Sequence, residues 1–388
     1  EKLDGFQHIS AVLNVQDSFK FPSVAINDIF QDTNNSLWFA TGQGILRVSM
    51  HLDRFQHLKN ISGDLNSLNF NNVLDLHQDK KGDIWIATDG GGLDKYQPEI
   101  EKFTHYMHVP EDSSSLSSDS VIAIDEDKQG YLWLGTYAGG LNRFNPQTGV
   151  FKRFTHDPEK PTNKTIADDN IFRVHVANDQ KVWLSIWRTG LQIYDPMQDE
   201  FTSYFPVGEG KESGIVNFNI TDIEPDGKGN YWISGYEGLE YFDTETRSFT
   251  KIYLPELERI FDVFVDKDII WLATADGFVK YDHNAGTHQI FTTLNGLADN
   301  FVTTIEKDNQ GLFWLGTNMG INSFDPYTQE VKNFTKSEGL TSNLFNRFSH
   351  LHTREGKMYF GGPQGINVFD PQNMPRNEMI PNVVLTDF

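Results

Sequence analysis

Apolar positions along this chain come in short runs and nowhere hold the rhythm of an amphipathic helix. Residues 116–154 carry the pattern most clearly, with apolar runs at 121–124, 132–134, 141–144 and 151–154 separated by Gly, Pro, Asn or Asp. Runs this short between turn formers predict strands, and four in succession predict an antiparallel meander.

Trp133 lies in the second of these runs and serves as a ruler for repeats. Trp38, Trp85, Trp133, Trp183, Trp232, Trp271 and Trp314 recur in the same local frame, and Tyr359 takes the place of Trp in an eighth copy. LWFATGQGILRV, LWLGTYAGGLNRF and FWLGTNMGINSF are three versions of that frame. The copies follow one another at 39 to 50 residues, the length of one four-stranded propeller blade. The sequence therefore predicts an all-β fold: a single propeller of four-stranded blades over residues 1–380, eight-bladed, with a seven-bladed ring as the alternative.

Ring closure is expected from an N-terminal strand. Residues 6–9 resemble an isolated outer strand, and copy eight shows the matching gap: after Asp370-Pro371 the chain runs into QNMPRNEMIPN, where Pro and charge oppose a fourth strand. Joining the two would complete the last blade and leave no long exposed edge.

Composition narrows the function. A formal net charge of −22 makes nucleic acid and acidic membrane surfaces unfavourable partners. There is no cysteine, which removes disulfides, thiolate metal sites and a Cys nucleophile. No apolar run is long enough to span a membrane, and no signal peptide opens the sequence; if the protein is exported, its targeting segment lies outside these residues.

Several motifs read as scaffold. Asp79/Gly82, Asp127/Gly130, Asp226/Gly229 and Asp308/Gly311 have too few oxygen ligands for a calcium loop and fit hairpin turns. The ruler aromatic suits packing of one sheet on the next. The Gly-Gly-Leu that follows it marks a tight turn, and no helix stands behind it to cradle a phosphate.

Candidate functional residues are those that break the repeat on the face built by the turns between strands two and three and by the entries to strand one. Copy four departs most, with Trp187-Arg188 in its turn. Tyr137, Tyr236 and Asn318 occupy the corresponding turns of other copies, and Asn170, Arg173, Asn346 and Arg347 lie at strand-one entries. Aromatic platforms with amides and guanidinium groups suit a sugar, whose C–H faces stack and whose hydroxyls or carboxylates are bridged. Trp187 is expected to be the stacking residue, flanked by Tyr137 and Tyr236. His77, His175, His350 and His352 fall on first strands and could converge in the channel, but no metal-binding spacing such as HExxH is present; neither a metal nor a cofactor is expected. An enzyme would need a carboxylate pair, for which Asp89, Glu237 and Asp276 are the loop acids to test. A passive protein scaffold is the third reading.

The frame N-x-V-x-x-I-x-x-D-x-x-G-x-L-W-I-G-T-x-x-G-G-L-x-R-F-D, closest in copies two, three and seven, resembles the two-component regulator propeller repeat over residues 20–371. Residues 381–388, PNVVLTDF, resemble the entry to the three-tyrosine β-sandwich that follows the propeller in such receptors. The resemblance implies a non-catalytic periplasmic sensor region of a hybrid two-component system or a membrane-bound diguanylate cyclase. It further implies an oligosaccharide or similar ligand on the propeller face, a following β-sandwich and membrane-linked output domain, and a homodimer in the full-length receptor.

Overall fold

The computed structural model describes residues 25–31, 37–48, 54–206, 214–257 and 259–374. The chain divides into two compact units, residues 1–54 with 375–388, and residues 55–374. In the larger unit copies two to seven each contribute a four-stranded antiparallel sheet, and copy eight contributes three strands of a seventh. In copy three the strands run Val121–Glu126, Leu132–Thr136, Leu141–Asn145 and Val150–Phe154, from the innermost outward. The turn into its third strand requires glycine at Gly140, where φ is +74° and a Cβ would stand 2.2 Å from the Phe154 carbonyl oxygen.

The ruler residues hold neighbouring blades together. Trp85 meets Phe144 of the next blade at 5.6 Å between ring centroids, Trp133 meets Tyr194 at 5.7 Å, Trp183 meets Phe242 at 5.4 Å and Trp314 meets Phe369 at 4.7 Å. A buried indole also needs a partner for its N–H. Trp85, Trp133 and Trp314 donate to Asp79, Asp127 and Asp308 at 3.0, 3.1 and 2.9 Å. The second oxygen of Asp79 accepts the backbone N–H groups of Lys81 and Asp83. The Asp-x-x-Gly segment is thus a hairpin turn, as its spacing indicates, and the same carboxylate fixes the indole.

The all-β propeller with four-stranded blades is what the structure shows, and its ring holds seven blades, the alternative count. The innermost strands of copies eight and two pack together, and Asn346 donates from Nδ2 to the Asn72 side chain and the Val73 carbonyl, both at 2.7 Å. Strand Gln56–Leu58 takes the fourth place in the last blade, pairing Leu58 with Ile366 and Gln56 with Val368. Phe55 beside it is buried against Phe334 and Phe369. The expected closing strand at residues 6–9 and the expected sandwich entry at 381–388 lie outside the described residues. The segment that closes the ring is the one directly preceding its first blade, where the chain already passes the last blade.

Copy one forms a three-stranded sheet, Ile26–Gln31, Leu37–Thr41 and Gly44–Val48, in the smaller unit. The single domain expected over residues 1–380 is therefore two units. Within this sheet Ile29, Phe30 and Ile45 are exposed, whereas the aliphatic positions of the ring blades are packed between sheets.

Candidate functional site

In copies two to seven the innermost strand slips register near its start, between Val73 and Asp75, Ile171 and Arg173, Ile220 and Asp222, Ile260 and Asp262, and Val302 and Thr304, with the same slip opposite Gly135 and Thr136. A bulge leaves one residue unpaired and re-aims its side chain. The residues so released are Leu74, Phe172, Thr221, Phe261, Thr303 and Ile122. Copy eight uses a different device: its first strand begins only at His350, and Phe348, at the equivalent place, has φ +64°.

Five of these residues, Leu74, Ile122, Phe172, Thr303 and Phe348, line a cavity of about 620 Å³. Its remaining lining comes from the turns, with Asp89, Tyr137 and Asn318, and from the strand-one entries, with Ser120, Phe301, Phe345, Asn346 and Arg347. The result is an aromatic bowl at the mouth of the channel with a few polar groups around it, the composition of a small-ligand site.

Arg347 crosses this mouth. Its Nη1 donates to the Tyr236 hydroxyl of copy five at 2.6 Å, and its guanidinium lies over the Phe261 ring of copy six at 4.2 Å. Phe261 is in turn packed on Phe301 at 4.7 Å. Arg259 approaches the Tyr236 ring at 5.8 Å. Among the described residues neither arginine has a carboxylate within ion-pair distance.

One residue further along, four of the innermost strands carry an ionisable side chain, Asp75, Arg173, Asp222 and Asp262, and Glu306 and His350 follow slightly deeper on the strands of copies seven and eight. Arg173 stands between Asp75, at 3.5 Å, and Asp222, at 3.2 Å, and its guanidinium faces the Phe348 ring at 4.8 Å. His350 stands between Asp262, at 3.2 Å, and Glu306, at 3.0 Å. Burial opposes both cations, but the facing carboxylates outweigh it, raising Arg173 and pushing His350 up to about 10. Burial also pushes Asp222 up to about 6 despite Arg173, and burial with the nearby Asp222 and Asp262 raises Glu224 well above the usual carboxylate range. Asp262 moves the other way, because His350 overcomes the effect of burial. These carboxylates also stitch blades: Asp75 accepts from the Ile124 N–H, Asp222 from Val263 and Asp262 from Ile305.

The residues expected from sequence separate into distinct places. Tyr137, Asn318, Asn346 and Arg347 line the cavity. Trp187 is partly exposed and stacks on Phe172 at 4.8 Å and 28°, so it reaches the cavity through that ring. Tyr236 is tied to the mouth by Arg347. Arg188 is exposed in the turn with φ +57°. Asn170 holds the turn of copy three, accepting from the Ala138 N–H at 3.1 Å, and Arg173 belongs to the ion pairs of the channel interior. Of the loop acids, Asp89 accepts from Ser120 and Asn72, and Glu237 accepts the Phe218 N–H. Among the described residues no three His, Asp or Glu side chains are grouped as metal ligands; His77 and His175 instead face Glu126 and Asp125. The ring of the bulged Leu74, Ile122 and Phe172 with Phe348 is not among the residues expected from sequence. Its signal is present as the residue immediately after each apolar strand start, but a strict alternation assigns that residue to the sheet ladder.

A model of the two-component regulator propeller matches residues 20–43, 67–90, 115–138 and 296–319. Four copies of the repeat thus match the two-component regulator propeller. The matched segments begin copies one, two, three and seven, each ending in the turn after the ruler. Among curated proteins, Histidine kinase P4 of Formosa agariphila is 24% identical over 232 residues, covering 57% of this chain and 17% of that protein. Among solved structures, the extracellular domains of two putative hybrid two-component systems from B. thetaiotaomicron share the fold. One is 22% identical with a TM-score of 0.73, over 89% of this chain and 45% of that one. The other is 23% identical with a TM-score of 0.67, over 89% and 46%. The chain thus spans under half the length of these relatives. Among its described residues no helix is long and apolar enough to cross a membrane.

Proposed function

We propose that this chain is part of the periplasmic ligand-sensing region of a bacterial receptor, of the hybrid two-component or cyclic-dinucleotide type, and that the channel mouth of its seven-bladed ring binds an oligosaccharide or similar small ligand. The observation that carries this reading is the 620 Å³ cavity, where aromatic rings from several blades meet amides, hydroxyls and one guanidinium. Pyranose rings present apolar C–H faces and a rim of hydroxyls, and such a lining offers partners for both. The repeat family and the extracellular neighbours support the sensor role, and Histidine kinase P4 supports a phosphotransfer output.

On this reading binding is not followed by turnover, and the signal passes to a following β-sandwich and a membrane-linked output domain, with the full-length receptor acting as a homodimer. Calorimetric titration of the chain with a panel of neutral and acidic oligosaccharides tests the reading. Saturable binding that Phe172→Ala weakens is expected. Binding that survives Phe172→Ala and Phe348→Ala unchanged would place the ligand elsewhere and end the proposal.

A further inference from the structure

Within that reading of the mouth, we infer that its ligand carries an oxyanion, a carboxylate or a sulfate ester, and that Arg347 is the group that receives it. The inference rests on how differently the structure treats its arginines. Arg173, in the channel interior, is neutralised by Asp75 and Asp222. Arg347 is half-buried at the lining of the cavity, with a hydrogen bond to the Tyr236 hydroxyl and an aromatic face beneath it. A guanidinium has five N–H donors in a fixed fork suited to a carboxylate or sulfate. In a chain of net charge −22, leaving such a cation without an acid among the described residues is a selective arrangement.

The surroundings favour the same chemistry. The Phe261 ring beneath the guanidinium and the Tyr236 hydroxyl beside it hold Arg347 in one orientation while leaving donors unused. Arg259, on the Tyr236 ring, adds a second positive charge at that side of the mouth. Asp89, the acid of the cavity lining, belongs to the boundary of copies two and three and is already bonded to Ser120 and Asn72. Toward copies five and six the cavity lining therefore offers the Arg347 guanidinium, the acids of those turns, Glu237 and Asp276, standing outside the lining, while amides and hydroxyls lie where Asn72, Ser120 and Asn318 stand. An acidic saccharide would place its oxyanion at the guanidinium and its hydroxyls along those amides and hydroxyls.

Two experiments on the whole chain decide it. In crystals soaked in sodium selenate, an anomalous peak is expected within hydrogen-bond distance of Arg347 and is expected to vanish in Arg347→Met. Selenate at other sites with none at Arg347 would overturn the inference. In parallel, neutral and uronate- or sulfate-bearing oligosaccharide pools are titrated against wild type, Arg347→Met and Arg347→Lys. The acidic pool should bind, with affinity falling about 10- to 100-fold in Arg347→Met, the range for losing a hydrogen bond to a charged group, and less in Arg347→Lys. Separate carboxylate and sulfate pools then tell the two oxyanions apart. Binding of the neutral pool alone would leave the mouth as a ligand site and remove the anion from it. Failure of both pools on wild type would remove both readings.

Discussion

The mouth and the interior of the channel are built by the same seven innermost strands and lie only a few residues apart along them. At the mouth, the bulged positions Leu74, Ile122, Phe172 and Thr303, together with Phe348, face an open cavity. Inside, the adjacent positions Asp75, Arg173, Asp222 and Asp262, with His350 and Glu306, form closed ion pairs. The difference separates two uses of charge. A cation enclosed by acids fixes which blades face each other, whereas a cation held on aromatic rings without an acid is available to something outside the chain.

The largest expected effect lies in the interior. Removing one member of a buried ion pair strands its partners and costs about 3–5 kcal/mol. Arg173→Met should lower the unfolding free energy in urea by that order, because Asp75 and Asp222 would remain buried without their cation. Arg347→Met should change it by only about 1 kcal/mol, the scale of a cation–π contact at a partly exposed site. Equal losses in the two variants would erase the distinction between the regions.

A pH titration sharpens the same contrast. His350 has a folded-state pKa near 10, above its ordinary value of 6.5, so its contribution is complete below pH 6.5 and is lost as pH rises toward 10. The melting temperature should therefore fall between pH 7 and pH 10, and His350→Gln should flatten that dependence while lowering the starting value. Asp222, raised to about 6 by burial, acts in the same direction at lower pH: the folded state holds its proton more tightly, and stability declines as pH rises from about 4 to 6. A melting temperature that climbs between pH 7 and pH 10 would contradict the His350 ion pairs, and one that climbs from pH 4 to pH 6 would contradict an Asp222 raised by burial.

The smallest effect belongs to the rim. Trp187 stacks on Phe172 and is 41% exposed, so Trp187→Ala should weaken ligand binding by about 0.5–1.5 kcal/mol, the worth of an aromatic pair beyond its buried area. Its melting temperature should stay within a few degrees of wild type, as for other substitutions of half-exposed residues. A loss of several degrees with unchanged affinity would make Trp187 a packing residue.

Much of the fold was legible because a propeller repeats its constraints. Every blade needs an aromatic at the ruler and a turn after it, and Trp85, Trp133 and Trp314 announce both. Blade number was less legible, since counting copies does not reveal which of them join one ring. The outer strands look alike, and residues 6–9 and 55–58 offer similar patterns, so pairing between chain-distant strands decides closure. For the site, Tyr137, Asn318, Asn346 and Arg347 could be read from their places in the turns and entries. Arg173 could not be told from Arg347, because its partners Asp75 and Asp222 lie 98 and 49 residues away. The bulged ring escaped because a one-residue slip reverses the face on which a strand residue lies.

Hydrogen–deuterium exchange of the whole chain, with and without a saturating oligosaccharide fraction that binds it, tests the central claim most directly. Binding at the mouth predicts new protection in the segments 301–303 and 345–349 and around Phe172, with the outer strands unchanged. Protection confined to outer strands such as Val150–Phe154 or Glu200–Tyr204 would contradict it.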